Sequence, residues 1–267
     1  MTEAAPPIIA PPRRSLGERA FDILVWGGLA ALLIAGFHGA EIGKFGSLFT
    51  GSENMREHGA EFLRPNFSLW KLYVADMWLT IQMALWGTAF AIVIALPLGL
   101  AGARNVSPVW LQQPARRILD ILRSVPDLVI GAIFVVAVGL GPFAGVMALA
   151  VNTGGVLGKL FSEAVESIEP GPVEAVRATG AGGAQQIVWG ILPQVAPLWT
   201  SYALYRFVAN ARSATVLSLI GAGGIGQDVF DSINSFAYDQ TSAVVVIIIV
   251  AVSAIDLISQ LIRARLL

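Results

Sequence analysis

The sequence predicts an all-α, polytopic membrane protein with about six transmembrane helices. Three observations carry that prediction. First, 55% of the residues are hydrophobic and only 13% are charged, whereas a soluble domain carries about 25% charged residues. Second, the apolar residues fall in long runs of about membrane length, separated by short polar stretches. Third, the basic residues are distributed unequally between alternate polar stretches, as cytoplasmic and outer loops are. A mean hydropathy of +0.71 agrees with all three.

The elements follow in order. Residues 1–20 are Pro-rich at first and carry Arg13, Arg14 and Arg19, which reads as a cytoplasmic tail. Phe21 to Ala40 is the first span; further apolar runs follow it and no small-residue cleavage site does, so it is not read as a secretory signal. The stretch to residue 71 is polar, with Gly43, Gly46, Gly51 and Pro65, and is read as an outer loop with a short surface helix. Residues 72–267 form the core, and within it the second span runs from Met77 to Ala101. Arg104, Arg116 and Arg117 mark the next stretch as a loop with an amphipathic segment. Leu122 to Val138 is a short third span with Pro126 near its start, and Gly139-Leu140-Gly141-Pro142 turns the chain into a fourth, Phe143 to Gly158. Short, Gly- or Pro-interrupted spans line cavities more often than they face lipid. A polar loop covers 159–193. Ala196 to Ile220 is the fifth span, and Thr241 to Ile262 the sixth.

An even number of spans puts both termini on one side. The tail, the two loops at 102–123 and 159–193 and the C-terminus hold eleven Lys and Arg residues; the opposite loops hold four: Lys44, Arg56, Arg64 and Lys71. Both termini are therefore placed in the cytoplasm. Trp70, Trp78, Trp86, Trp110 and Trp199 are read as interface anchors. Asp76, Asp127 and Asp256, at or near span ends, are read as interfacial carboxylates, with a proton-carrier role as the alternative.

Several functions are excluded. The net charge of −1 gives no basic field for nucleic acid. The absence of cysteine removes thiolate chemistry and disulfides, and the two histidines, His38 and His58, have no metal-ligand spacing. No G-x-x-x-x-G-K-[ST] occurs, so the chain lacks a P-loop and an energy source would be a separate subunit. Gly221-Ala222-Gly223-Gly224-Ile225-Gly226 satisfies G-x-G-x-x-G, but a membrane-length apolar run begins at Thr241 and leaves no room for a βαβ unit. Gly221, Gly223, Gly224 and Gly226 are read instead as a sharp break with close backbone packing beside a pore.

The polar loop carries Glu174-Ala175-Val176-Arg177-Ala178-Thr179-Gly180 and then Ile191-Leu192-Pro193. Pro172 suits the first turn of a helix, Glu174 is expected in that same turn, and Gly180 supplies a tight bend. The segment resembles the E-A-A-x-x-x-G loop of ABC importer permeases, with Val176 at the third position and the Ile and Leu adjacent. Glu169-Pro170-Gly171-Pro172, Leu204-Tyr205-Arg206-Phe207, Asn210-Ala211-Arg212, Arg123-Ser124-Val125-Pro126, Val138-Gly139-Leu140-Gly141-Pro142 and the glycine segment further resemble phosphonate importer permeases over about residues 62–267. Val208 and Ser218 depart from that pattern.

The resemblance implies a type I ABC importer permease fold and a bacterial inner-membrane location. It implies a second copy of the permease, two cytoplasmic ATPases that bind ATP and Mg, a periplasmic binding protein, and no cofactor in this chain. The solute would be phosphonate or a related phosphorus oxyanion; methionine or a quaternary amine are the near alternatives, and a proton-coupled secondary transporter the alternative of another class. Glu174, Ala175, Arg177, Gly180 and Pro193 would couple to the ATPase.

The residues themselves add a candidate path. Arg206 and Arg212 are the basic residues deep in a span, where a charge costs at least about 2.5–3.5 kcal/mol unless it meets a cavity or a partner. Helical spacing aligns Tyr202, Arg206, Asn210 and Ser213 on one stripe, and puts Arg206 about 15 Å beyond Ala196. Arg212 turns about 120° away. The two arginines either offer charge to a passing anion or pair with carboxylates and hold the bundle together.

Overall fold

The computed structural model describes residues 16–47 and 52–266; most of the N-terminal tail, with Arg13 and Arg14, lies outside them. The chain divides into two units, 1–59 and 60–267. The first holds α1 (Leu16–Gly39) and a 3-10 turn, Ile42–Gly46. Ala20–Phe37 of α1 is long and apolar enough to cross a membrane, and none of it is buried within the protein. The short helix α2 (Ser52–Phe62) leads into the second unit.

The second unit is built from α3 (Trp70–Gly102), α4 (Val109–Ser124), α5 (Asp127–Val138), α6 (Pro142–Glu166), α7 (Pro170–Ala178), α8 (Gly183–Gln186), α9 (Leu192–Leu217), α10 (Ile225–Asn234) and α11 (Tyr238–Leu266). A π turn, Ile187–Ile191, joins α8 to α9, and a 3-10 turn, Ser218–Ile220, ends α9. No strand occurs among the described residues.

The centre is the α3–α6 pair, and small residues bring the two axes together. A methyl added at Gly87 would sit 2.7 Å from Leu149 Cβ, and one at Gly99 would sit 2.9 Å from Phe161 Cβ. Close backbone approach of this kind is how helices associate where lipid removes the hydrophobic drive. At the α7 end of the bundle, Ala91, Ala95, Leu157, Phe161, Val165, Ile191 and Val195 form a core with Trp199. Trp199 stacks on Phe161 at 4.6 Å and donates its indole N–H to the Phe161 carbonyl. The reading of Trp199 as an interface anchor is thus corrected: its ring is 6% exposed. Trp70, Trp78, Trp86 and Trp110 do present their rings outward.

The third span differs from expectation. The apolar run Leu122–Val138 is broken at Val125-Pro126, where α4 and α5 meet at 90°. Pro126 has no N–H to continue α4, and the Val125 carbonyl, left without a helical donor because Val129 N turns to the Pro126 carbonyl at 3.0 Å, accepts from Asn152 Nδ2 at 3.0 Å. Arg116 ties α4 to the α7 end of the bundle by an ion pair with Glu166 and a bond to the Gly102 carbonyl. The 12 residues of α5 rise only about 18 Å, too little to cross a hydrocarbon core of about 30 Å alone. The fourth span is longer than predicted: α6 runs on through Lys159 and Glu163 to Glu166, where apolar periodicity alone had ended it.

Among the described residues, four helices are long and apolar enough to cross a membrane, α1, α3, α6 and α11, and the bent α4–α5 pair would make a fifth. The 26 residues of α9 are long enough to cross but carry polar side chains along their length.

Candidate functional site

Two polar regions stand out, one at the end of the bundle and one inside it. The first is α7 with the turn that follows. Glu169 is the extended N-cap residue and Pro170 starts the helix, with Pro172 in its first turn. Glu174 consequently lies beyond the first turn, and that turn holds no acid. The expected placement of Glu174 at the helix N-terminus is corrected accordingly. Gly180 ends the segment at φ +82, a left-handed conformation that side chains resist, and donates its N–H to Arg177 O at 3.0 Å. Gln185 accepts from Gly182 N at 2.9 Å and starts α8.

Gln194 fastens this loop to the bundle, accepting from Glu169 N and donating to Gly190 O. Gly190 lies against the Val173 backbone, 3.0 Å from where its own Cβ would be. Glu174, Ala175 and Arg177 are exposed on α7, and Pro193 is exposed in the first turn of α9. Beside them lies an open groove of about 670 Å³ lined by Ala175, Val176, Thr179, Gly180, Ala181, Gln185 and Trp189. The Trp189 ring is 71% exposed with no core to enter. Sequence reasoning passed over Trp189, although a tryptophan in a polar loop was a visible signal.

The second region is a chain of side chains across three helices. Arg206 on α9 donates to Thr153 Oγ1 on α6 at 3.2 Å. Thr153 donates to Asn210 Oδ1 at 2.7 Å, and Asn210 Nδ2 donates to Thr88 Oγ1 on α3 at 2.9 Å. Thr88 closes the chain on the Ala84 carbonyl. Buried amides are stable only when satisfied in this way. Asn210 is fully buried, so it backs the predicted stripe and does not line it. Tyr202 packs partly on the core around Trp199, and Ser213 is half-buried. Arg206 is half-buried, and its Nε is buried without a hydrogen-bond partner.

Arg212 is exposed, and with Ser213, Pro126, Asp127 and Leu128 it lines a cavity of about 350 Å³. The charge of Asp127 also acts on Arg206. The bend at Pro126 therefore carries Asp127 to the arginines, and its reading as an interfacial carboxylate missed that. Thr88 and Thr153 were missed as well; their only signal was a polar residue inside a run of small ones.

The glycine segment forms a corner between α3, α6 and α9. Gly221, Gly223 and Gly224 have positive φ, and Gly141 N donates to Gly221 O at 2.9 Å. A Cβ at Gly226 would run into the Thr215 carbonyl oxygen. Ile225 N donates to Thr80 Oγ1 at 3.0 Å and seats α10 on α3. Gly224 and Gly226 are buried within the chain, and Gly221 and Gly223 partly so.

Comparison with known proteins agrees with this geometry. The family profile described as "Binding-protein-dependent transport system inner membrane component" matches residues 91–267. A phosphite transport system permease protein of Stutzerimonas stutzeri is 38% identical over 218 residues, 81% of this chain and 79% of that protein. A cryptic phosphonate transport system permease protein of Escherichia coli K12 is 56% identical over 117 residues, 44% of this chain and 96% of that protein. An inward-facing structure of the MetNI methionine ABC transporter superposes with a TM-score of 0.67 at 24% identity, covering 76% of this chain and 99% of that one. At that identity the likeness speaks for the fold alone.

Proposed function

The chain belongs to the family of binding-protein-dependent transport system inner membrane components, and from that premise we propose that it forms the translocation path of an ABC importer for phosphite, phosphonate or a related phosphorus oxyanion. The observation that carries the solute class is the 38% identity to a phosphite permease over 79% of that protein's length. The chain is a transport subunit of the inner membrane, not an enzyme; ATP hydrolysis belongs to separate subunits.

In this reading both termini face the cytoplasm, and α9 and the α4–α5 pair complete six spans with the four apolar helices. The exposed face of α7, with Glu174, Ala175 and Arg177, Gly180 at its end and Trp189 beside it, docks on a cytoplasmic ATPase that holds ATP and Mg. Pro193 marks re-entry into the membrane. A second permease copy, a second ATPase and a periplasmic binding protein complete the machine. Arg206 and Arg212 offer charge to the passing anion, and Asp127 competes for them. That competition suits transport, because an anion held too tightly would not leave.

The test is uptake. A strain without other phosphite or phosphonate importers is supplied with this chain and its neighbouring ATPase and binding protein. Growth on phosphite or a phosphonate as sole phosphorus source, abolished by deleting residues 172–182, is the expected result. Import of methionine with no import of either phosphorus compound would overturn the solute assignment.

A further inference from the structure

At the α10 end of the bundle a group of acids gathers that, among the described residues, forms no salt bridge. Asp76 on α3 and Asp228 on α10 face each other closely enough for their carboxyls to hydrogen bond. The seat is built around them: Ile225 N donates to Thr80 Oγ1, and Thr80 in turn donates to the Asp76 carbonyl at 2.8 Å. Tyr73, Met77, Ile225, Ala243 and Val244 form the apolar floor, with Val229 of α10 packed on it.

Asp228 Oδ2 is buried and finds no donor when both acids are charged. A carboxylate only accepts, so two of them make a bond only when one holds a proton. Two carboxylates at that distance also resist being ionised together.

Among the described residues, no neutralising charge acts on Asp228. Besides Asp76, the charge acting on Asp228 is that of Asp231 on its own helix. From α11, Asp239 acts with Asp228 on the Tyr73 phenol of α3 and is itself bonded by Asn66 Nδ2 at 3.0 Å. The end of α9 meets α10 through the Thr215 carbonyl and Ser218, while Arg212 lies on the cavity with Asp127. Lys71 lies over the Trp70 ring, 6.0 Å from its centroid.

We propose that Asp76 and Asp228 share one proton, and that this carboxyl–carboxylate bond is a latch holding α10 against α3, which loosens when the proton leaves. Burial, and then the neighbouring Asp76, raise the Asp228 carboxyl to about 7. The sign follows from linkage: a carboxyl raised on folding contributes stability that is complete below its ordinary range and lost as pH rises through about 7. In the proposed orientation this end of the bundle faces the periplasm, so the latch would sense the medium: closed in acid, released in alkali.

Two measurements on the purified full-length chain test it, and neither depends on what the protein transports. In infrared pH-difference spectra, a protonated-carboxyl C=O band should disappear with a midpoint near 7 and be absent from both Asp228→Asn and Asp76→Asn. The chain has no cysteine, so Val229→Cys provides a unique reporter under α10. Its labelling rate, divided by that of an exposed Leu63→Cys reference to remove the thiol's own ionisation, should rise several-fold over roughly pH 6 to 8. In the Asp228→Asn background, which keeps the size and hydrogen bonding of the protonated acid, labelling should stay slow and flat. A carboxyl band that survives in both Asn variants, or normalised labelling that ignores pH in the parent, would overturn the latch.

Discussion

Every residue of α7 is exposed or half-exposed, whereas Asn210 is sealed inside the bundle with both ends of its amide satisfied. The two regions are joined by one π turn, yet they solve opposite problems. The loop is held by backbone geometry: a proline start, a left-handed glycine stop and the Gln194 tether, with its side chains left facing outward. The interior chain is held by side chains, and little of its chemistry is left for another molecule except at Arg206 and the Arg212 cavity. Surface that a fold does not use on itself is surface available to a partner, and buried polar groups that satisfy one another hold helices in a fixed register.

Substitutions can break that contrast, beginning with the interior. Gly226→Val should have the largest effect, because any Cβ there meets the Thr215 carbonyl and the backbone must move to admit it. The expected outcome is loss of monodisperse protein on size-exclusion chromatography. Asn210→Leu strands the Thr153 hydroxyl, which loses its acceptor in a buried site. Such an orphan costs about 1–3 kcal/mol, so the variant should fold with a lowered melting temperature; an unchanged one would show that the chain does not hold the bundle.

Arg206→Gln sits at the boundary between the two kinds of region. It should leave melting and basal ATP hydrolysis of the assembled importer near the parent values and abolish uptake, whereas wild-type uptake would remove Arg206 from the path. Gly180→Val meets open space but a forbidden φ, so it should cost the bundle nothing and uncouple solute-stimulated hydrolysis from transport. The smallest perturbation asks only about sidedness. Leu63→Cys should react with an impermeant thiol reagent added outside whole spheroplasts, and Ala184→Cys only after the membrane is opened. The reverse pattern would invert the proposed topology.

Much of this architecture was legible in the sequence because hydrophobic run length and turn residues report directly on long helices. α11 extends only a few residues beyond its predicted span, but α3 starts at Trp70, about two turns before the expected Met77, since the polar and aromatic residues there carry little apolar signal. The α4–α5 break was hidden because Leu122–Val138 is apolar on both sides of Pro126, and a proline marks a break without giving its angle. Trp199 and Asn210 were misplaced for a common reason. Composition says that a residue lies in a span, but packing against α6 decides which face is covered. The Asp76–Asp228 pairing had no sequence signal: the two acids are far apart in the chain and meet only because the glycine corner and the Ile225–Thr80 bond seat α10 on α3.

The π turn at Ile187–Ile191 has a mechanical consequence. An α-helix passes an axial push along its length almost rigidly, but a π turn holds one residue more than an α turn. That residue offsets everything after it by about 1.5 Å along the axis and about 100° around it. The turn lies between the outward-facing loop and the helix that carries Arg206, and Val173 of α7 presses on Gly190 within it. The face that α9 turns to α6 is therefore set at the loop: closing the π turn to an α turn would swing Arg206 and Asn210 together by about 100°.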